Sequence, residues 1–71
     1  MDPRLNEISR QVKLRRKSLR LTQDELADLA GCSQRFVRSL EAGKQSVRMD
    51  KVLAVLHALG LDLSATLRKP A

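Results

Sequence analysis

The sequence predicts a small, mainly α domain, with four helices packed in one unit and a short C-terminal strand after them. Three observations predict it. Apolar residues recur at helical spacing through most of the chain. Three glycines, at positions 31, 43 and 60, punctuate it. Beyond Gly60 the apolar period changes to two. With 71 residues, the chain is a single domain. A domain this short buries only about 60% of its unfolded surface, so it needs a staple, a metal or a second subunit. Cys32 is the only cysteine and His57 the only histidine. That excludes an intrachain disulfide and the usual zinc patterns. A second subunit is the expected support.

The first helix is expected from about Pro3 to Lys17, with Asp2 as its N-cap and proline at the first helical position. Leu5, Ile8, Val12 and Leu19 fall near one stripe, and Lys13, Arg15, Arg16 and Lys17 form a basic cluster on another face. That cluster suits either phosphates or a solvated surface. Thr22 and Glu25 have the spacing of a capping box. It opens a second helix that runs to Ala30, with Leu26, Leu29 and Ala30 inward. Gly31 stops it, since glycine takes the left-handed conformation of a C′ residue without a Cβ clash. Ser33 is the next N-cap. The third helix spans Gln34 to Ala42, with Val37 and Leu40 in the core and Phe36 half-buried.

Residues Lys44 to Val47 read as a loop. The fourth helix runs from about Met49 to Leu59 on an apolar face of Met49, Val52, Leu53, Leu56 and Leu59. Arg48 before it is a poor cap. After Gly60, Leu61, Leu63, Ala65 and Leu67 alternate with Asp62, Ser64, Thr66 and Arg68, the period of a half-buried strand. A short fifth helix is the alternative, because Leu63 and Leu67 are also four apart. A lone strand leaves its N–H and C=O groups unpaired. The expectation is therefore a homodimer in which two tails pair through Leu61, Leu63, Ala65 and Leu67, with Pro70 ending the ladder. Residues 1–60 would be the binding domain and 61–71 the dimerisation tail.

Charge narrows the function. Fourteen Lys and Arg against eight Asp and Glu leave a net charge of +6, which suits a polyanion. Nucleic acid is the first expectation and an acidic membrane surface the second. Residues 1–20 lack the apolar core of a secretory signal. The longest strongly apolar run, Val52 to Leu56, is far short of the ~20 residues a spanning helix requires. A cytoplasmic protein is expected, and one free thiol is compatible with a reducing compartment. No nucleophile has a base nearby in the sequence, no glycine-rich phosphate loop occurs and no metal cluster is visible. Neither an enzyme nor a cofactor or metal is expected.

The second and third helices, joined by Gly31, Cys32 and Ser33, make a bihelical unit with a turn of about three residues, the spacing of a helix-turn-helix. Ala27 is the small residue that a close helix crossing requires, and Cys32 fills the apolar position of the turn. A buried packing role for Cys32 stands against redox sensing. His57 reads as a surface or edge residue. The stretch from Thr22 to Lys44 resembles the Xre/Cro-type repressor domain. It carries Thr22 and Gln23 opening the second helix, Leu26 and Ala27, Ala30 and Gly31, Ser33, Val37, Leu40 and Glu41, then Gly43 and Lys44. The likeness extends from about Leu5 to Gly60. Cys32 departs from it, where that family usually has valine.

The resemblance implies a lambda-repressor-like fold and sequence-specific binding of double-stranded DNA at a palindromic operator in the bacterial nucleoid. Gln34, Arg35, Arg38 and Ser39 would read bases in the major groove, where Arg pairs with guanine and Gln with adenine. Gln23, Ser33 and Lys44 would hold phosphates. Glu41 is expected to be structural, paired with a basic residue of the first helix. Gln34 to Val37 and Leu59 to Leu63 are, more narrowly, similar to HipB-type antitoxins. By that similarity a HipA-type serine/threonine kinase toxin would be the partner and the protein would repress its own operon. A stand-alone regulator, or a module that acts mainly by neutralising a protein partner, are the other readings.

Overall fold

The computed structural model describes residues 3–44 and 46–64, with side chains from residue 6 onward. Among the described residues four helices succeed one another: α1 (Pro3–Ser18), α2 (Gln23–Ala30), α3 (Gln34–Glu41) and α4 (Met49–Ala58). Each starts where predicted, and each end differs from its expected end by no more than one residue. Among the described residues no helix is long and apolar enough to cross a membrane. The expected N-cap at Asp2 and the readings at Ala65, Thr66, Leu67, Arg68 and Pro70 lie outside the described residues, as does the side chain of Leu5. Residues 61–64 carry no regular secondary structure.

The helix starts are built from local side-chain chemistry. Thr22 Oγ1 accepts from the Glu25 N–H at 3.0 Å, and the Glu25 carboxylate accepts from the Thr22 N–H at 2.9 Å. This reciprocal pair satisfies two of the donors a helix leaves orphaned. The carboxyl of Glu25 is held below its usual range by those bonds to Thr22. Ser33 Oγ accepts from the Phe36 N–H at 3.1 Å. Arg48 makes no capping bond to α4. It instead donates to Asp50 at 2.8 and 3.2 Å, and Asp50 accepts the Lys51 N–H at 2.9 Å. An acid in the first turn thus does part of the cap's work and complements the helix dipole.

All four helices end in the same hydrogen-bonded turn. After α2, the Gly31 N–H reaches the Asp28 carbonyl and the Cys32 N–H reaches that of Ala27. After α3, Gly43 and Lys44 bond Leu40 and Ser39, and after α4, Gly60 and Leu61 bond His57 and Leu56. This is the Schellman pattern, whose C′ residue is left-handed. The three glycines have φ of +68, +86 and +72°. The end of α1 repeats the pattern with Arg20 and Leu21 bonding Lys17 and Arg16. Here the left-handed residue is Arg20, at φ +58°.

The core is one cluster of Val12, Leu26, Ala27, Val37, Leu40, Val52, Val55, Leu56 and Leu59. Each fully buried large aliphatic contributes roughly 1.5–3 kcal/mol. Helix α2 packs on α3 and α4, and α1 packs on α3. Ala27 is 1% exposed, the small residue that lets α2 sit close among its neighbours. Ile8, Leu21, Ala30, Cys32, Phe36, Val47, Ala58 and Leu61 pack around this cluster, so Cys32 does serve as a small hydrophobe. Burial pushes its thiol pKa up.

Three expected core positions face out and a fourth is only partly covered. Leu29 and Met49 are more than half exposed, Leu19 is exposed and Leu53 is only half-buried. On α4 the inward stripe is Val52, Val55, Leu56 and Leu59, a cleaner helical repeat than the expected one. A helix of eight or ten residues packed on one side buries a single narrow stripe. Apolar residues flanking that stripe have nothing to cover them among the described residues.

Candidate nucleic-acid interface

Helix α3 presents its first turn to solvent. Gln34 and Arg35 are exposed and have no side-chain partner among the described residues. Its first turn contains no acid, and the Ser33 cap leaves its own hydroxyl proton free for an acceptor. Arg38, one turn further on, is also exposed, and its guanidinium lies 3.7 Å from the Asp24 carboxylate on α2. Both groups are open to solvent, so the pair is loose and worth little on its own. Ser39 is half-buried and its carbonyl accepts the Lys44 N–H.

Beside this turn lies an open cleft of about 250 Å³ between α3, the following loop and the start of α4. Arg35, Lys44, Arg48 and Lys51 bring four cations to it, and Ser33, Ser39 and Ser46 line it with hydroxyls. The Phe36 ring lies in its wall, with Lys51 Nζ 5.8 Å from the ring centroid, within the range of a cation–π contact. Sequence reasoning missed Arg48 and Lys51. Their spacing on α4 gives no signal, because only the tertiary fold brings that helix start beside α3.

At the start of α2, Gln23 is half-buried rather than free. Its Nε2 donates to Glu41 Oε1 at 3.2 Å. Glu41 is itself 7% exposed and is gripped by Arg16, whose Nε and Nη2 donate to its two carboxylate oxygens at 2.7 and 3.0 Å. The third nitrogen of Arg16 donates to the Leu21 carbonyl at 2.8 Å. The carboxylate holds Arg16 above its ordinary pKa. The expected pairing of Glu41 with a basic residue of the first helix is thus Arg16. Neighbouring Arg15 donates from Nε to the Leu59 carbonyl at 2.9 Å. Two members of the basic cluster on α1 are therefore tied to the protein: Arg16 in the pairing expected for Glu41, and Arg15 in a role that neither expectation for that cluster anticipated.

The helix-turn-helix family model matches residues 12–65, which takes in α2, the turn, α3 and α4. The chain belongs to the helix-turn-helix family. It is also 46% identical over 57 residues to an uncharacterized HTH-type transcriptional regulator, y4mF, of Sinorhizobium fredii (strain NBRC 101917 / NGR234), covering 80% of this chain and 75% of that protein. In this helix-turn-helix chain α3 is the second helix of the motif, the one that enters the major groove in DNA-binding members. Two candidate anchors flank this helix, the α2 start, where Gln23 meets Glu41 at the end of α3, and the cleft that Arg35 and Lys44 line. Ser33 and Lys44 line that cleft, and Gln23 does not.

Proposed function

We propose that this helix-turn-helix protein is a sequence-specific transcriptional repressor that binds a palindromic operator as a homodimer. The observation that carries the reading is the acid-free first turn of α3, with Gln34 and Arg35 exposed and without a side-chain partner among the described residues, beside a cleft of four cations. A helix that served only packing would have no use for long polar donors that, among the described residues, make no side-chain bond. Arg35 and Gln34 read base edges, Arg38 and Ser39 flank them, and Lys44 and Lys51 neutralise backbone phosphates together with the Ser33 hydroxyl, while Arg48 is held by Asp50 and adds little net charge. The family match and the HTH-type regulator among its relatives support the DNA-binding part of this reading. The action needs no cofactor and no catalysis.

The test begins with duplexes selected from a randomised pool. Arg35→Ala is expected to cost about 1–3 kcal/mol on the selected site and to relax its preference at one base pair, with little effect on random DNA. An equal loss on both DNAs would overturn base reading by Arg35. For the dimer, Leu63 is 43% exposed beside an apolar groove lined by Ile8, Leu56 and Leu61. Pairing of two tails through Leu61, Leu63, Ala65 and Leu67 would cover it. Leu63→Asp with Leu67→Asp should give monomers in sedimentation and reduce operator affinity to the non-specific level. A tight dimer in that variant would move the interface to the helices.

A second reading adds a HipA-type serine/threonine kinase as a protein partner. It rests on the similarity of residues 34–37 and 59–63 to HipB-type antitoxins. Pull-down from the native host should then recover a kinase-like protein encoded next to this gene, and its absence removes the reading.

A further inference from the structure

Glu41 is the one acidic side chain buried in the described structure, and nothing in DNA reading requires a buried acid at the end of α3. Its carboxylate joins three helices. Arg16 of α1 donates to both oxygens, and Gln23 at the start of α2 donates to Oε1 at 3.2 Å. The guanidinium cancels the negative charge, so a phosphate approaching the start of α2 does not meet a bare carboxylate. The amide of Gln23 has two N–H groups, and only one is committed to Glu41.

We propose that Glu41 is a positioning residue for DNA binding, holding Gln23 at the start of α2 with its second amide proton ready for a backbone phosphate. This rests on the reading of Gln23 as a phosphate contact. A free glutamine side chain has three torsions to freeze on binding, and freezing them costs up to roughly 1.5–2 kcal/mol. Glu41 imposes that order before DNA arrives, so its loss should weaken binding by up to about ten- to thirtyfold through Gln23 alone. The backbone N–H groups at the α2 start remain available in either case.

A double-mutant cycle on the selected operator tests this. Replacing the ion pair by Arg16→Met with Glu41→Leu removes the acceptor while keeping an apolar filling. Such exchanges of buried pairs are often neutral or stabilising, and a thermal melt verifies the fold. In the natural background Gln23→Ala should weaken operator binding about tenfold. In the exchanged background, already weakened by a similar factor, Gln23→Ala should add nothing. A second variant, Glu41→Asp, keeps the charge on Arg16 and draws the acceptor back by one methylene. It should show the same loss and the same lack of additivity. If Gln23→Ala costs as much in both altered backgrounds as in the natural one, Glu41 is only structural and the inference falls alone. If Gln23→Ala costs nothing in the natural background, the phosphate role of Gln23 falls and takes the inference with it.

Discussion

Replacing Arg20 by glycine should make this protein more stable. Arg20 is the C′ residue of α1 and sits at φ +58°, where a non-glycine L-residue costs roughly 1–2 kcal/mol. Its side chain is exposed and has no partner among the described residues, so nothing is lost with it. Its backbone bonds, to Lys17 at 3.0 Å and onward from Leu21 to Arg16 at 3.1 Å, are available to glycine unchanged. Against the relief stands the greater freedom of glycine in the unfolded chain, about 0.5–1 kcal/mol. The net gain is about 0.5–1 kcal/mol, or a rise in melting temperature of roughly 2–8 °C for a domain of this size. The reciprocal change is Gly31→Ala, at the same position of α2. A Cβ there meets no atom within 4 Å, so its cost is purely conformational and should be about as large with the opposite sign. Thermal melts by circular dichroism, without DNA, measure both. A lower melting temperature for Arg20→Gly, or an unchanged one for Gly31→Ala, would refute this account of the helix ends.

Lys51→Ala should reduce the magnitude of the slope of log K against log salt concentration by about one unit, as should Lys44→Ala. An unchanged slope for Lys51→Ala would remove the far wall of the cleft from the DNA interface. The Glu25 carboxyl is held below its usual value by its bonds to Thr22. Its contribution to stability is therefore complete above the unfolded pKa and is lost as pH falls through the lower folded value. Glu25→Gln should flatten that acid limb in melts recorded below about pH 5, and an identical limb would dismiss the capping box as its source. Burial raises the Cys32 thiol, so iodoacetamide should label the folded protein much more slowly than the urea-unfolded chain near pH 8. Equal rates would contradict its packing role.

The features legible in the sequence were local ones. Thr22 with Glu25, Ser33 and the three glycines act within a few residues of themselves, and the structure places every one of those caps and stops as expected. The left-handed residue ending α1 had no glycine to announce it. It is set by the packing of Leu21 into the core, a tertiary cause. Leu29 and Met49 look like core residues because they are large and near the stripe, yet one-sided packing of short helices leaves them outside. The candidate interface divides the same way. Gln34 and Arg35 are legible because the motif's spacing exposes the start of α3. Arg48 and Lys51 are not, because their relation to α3 exists only once α4 is docked. The partner of Glu41 was legible as a charge on α1, but spacing could not distinguish Arg16 from its neighbours.

Arg15 and Arg16 are adjacent on α1, yet they grip the ends of different helices. Arg15 holds the carbonyl of Leu59, the residue that caps α4, and Arg16 holds Glu41 at the end of α3. The point from which the chain leaves α4 and the axis of α3 are thus both referred to one short stretch of α1. If two copies join through the residues C-terminal to α4, the separation and tilt of their two α3 helices are gauged by that stretch. A displacement of α1 by a fraction of a turn would reset both references together. In such a dimer, the spacing of operator half-sites would be written in part in a helix that reads no base.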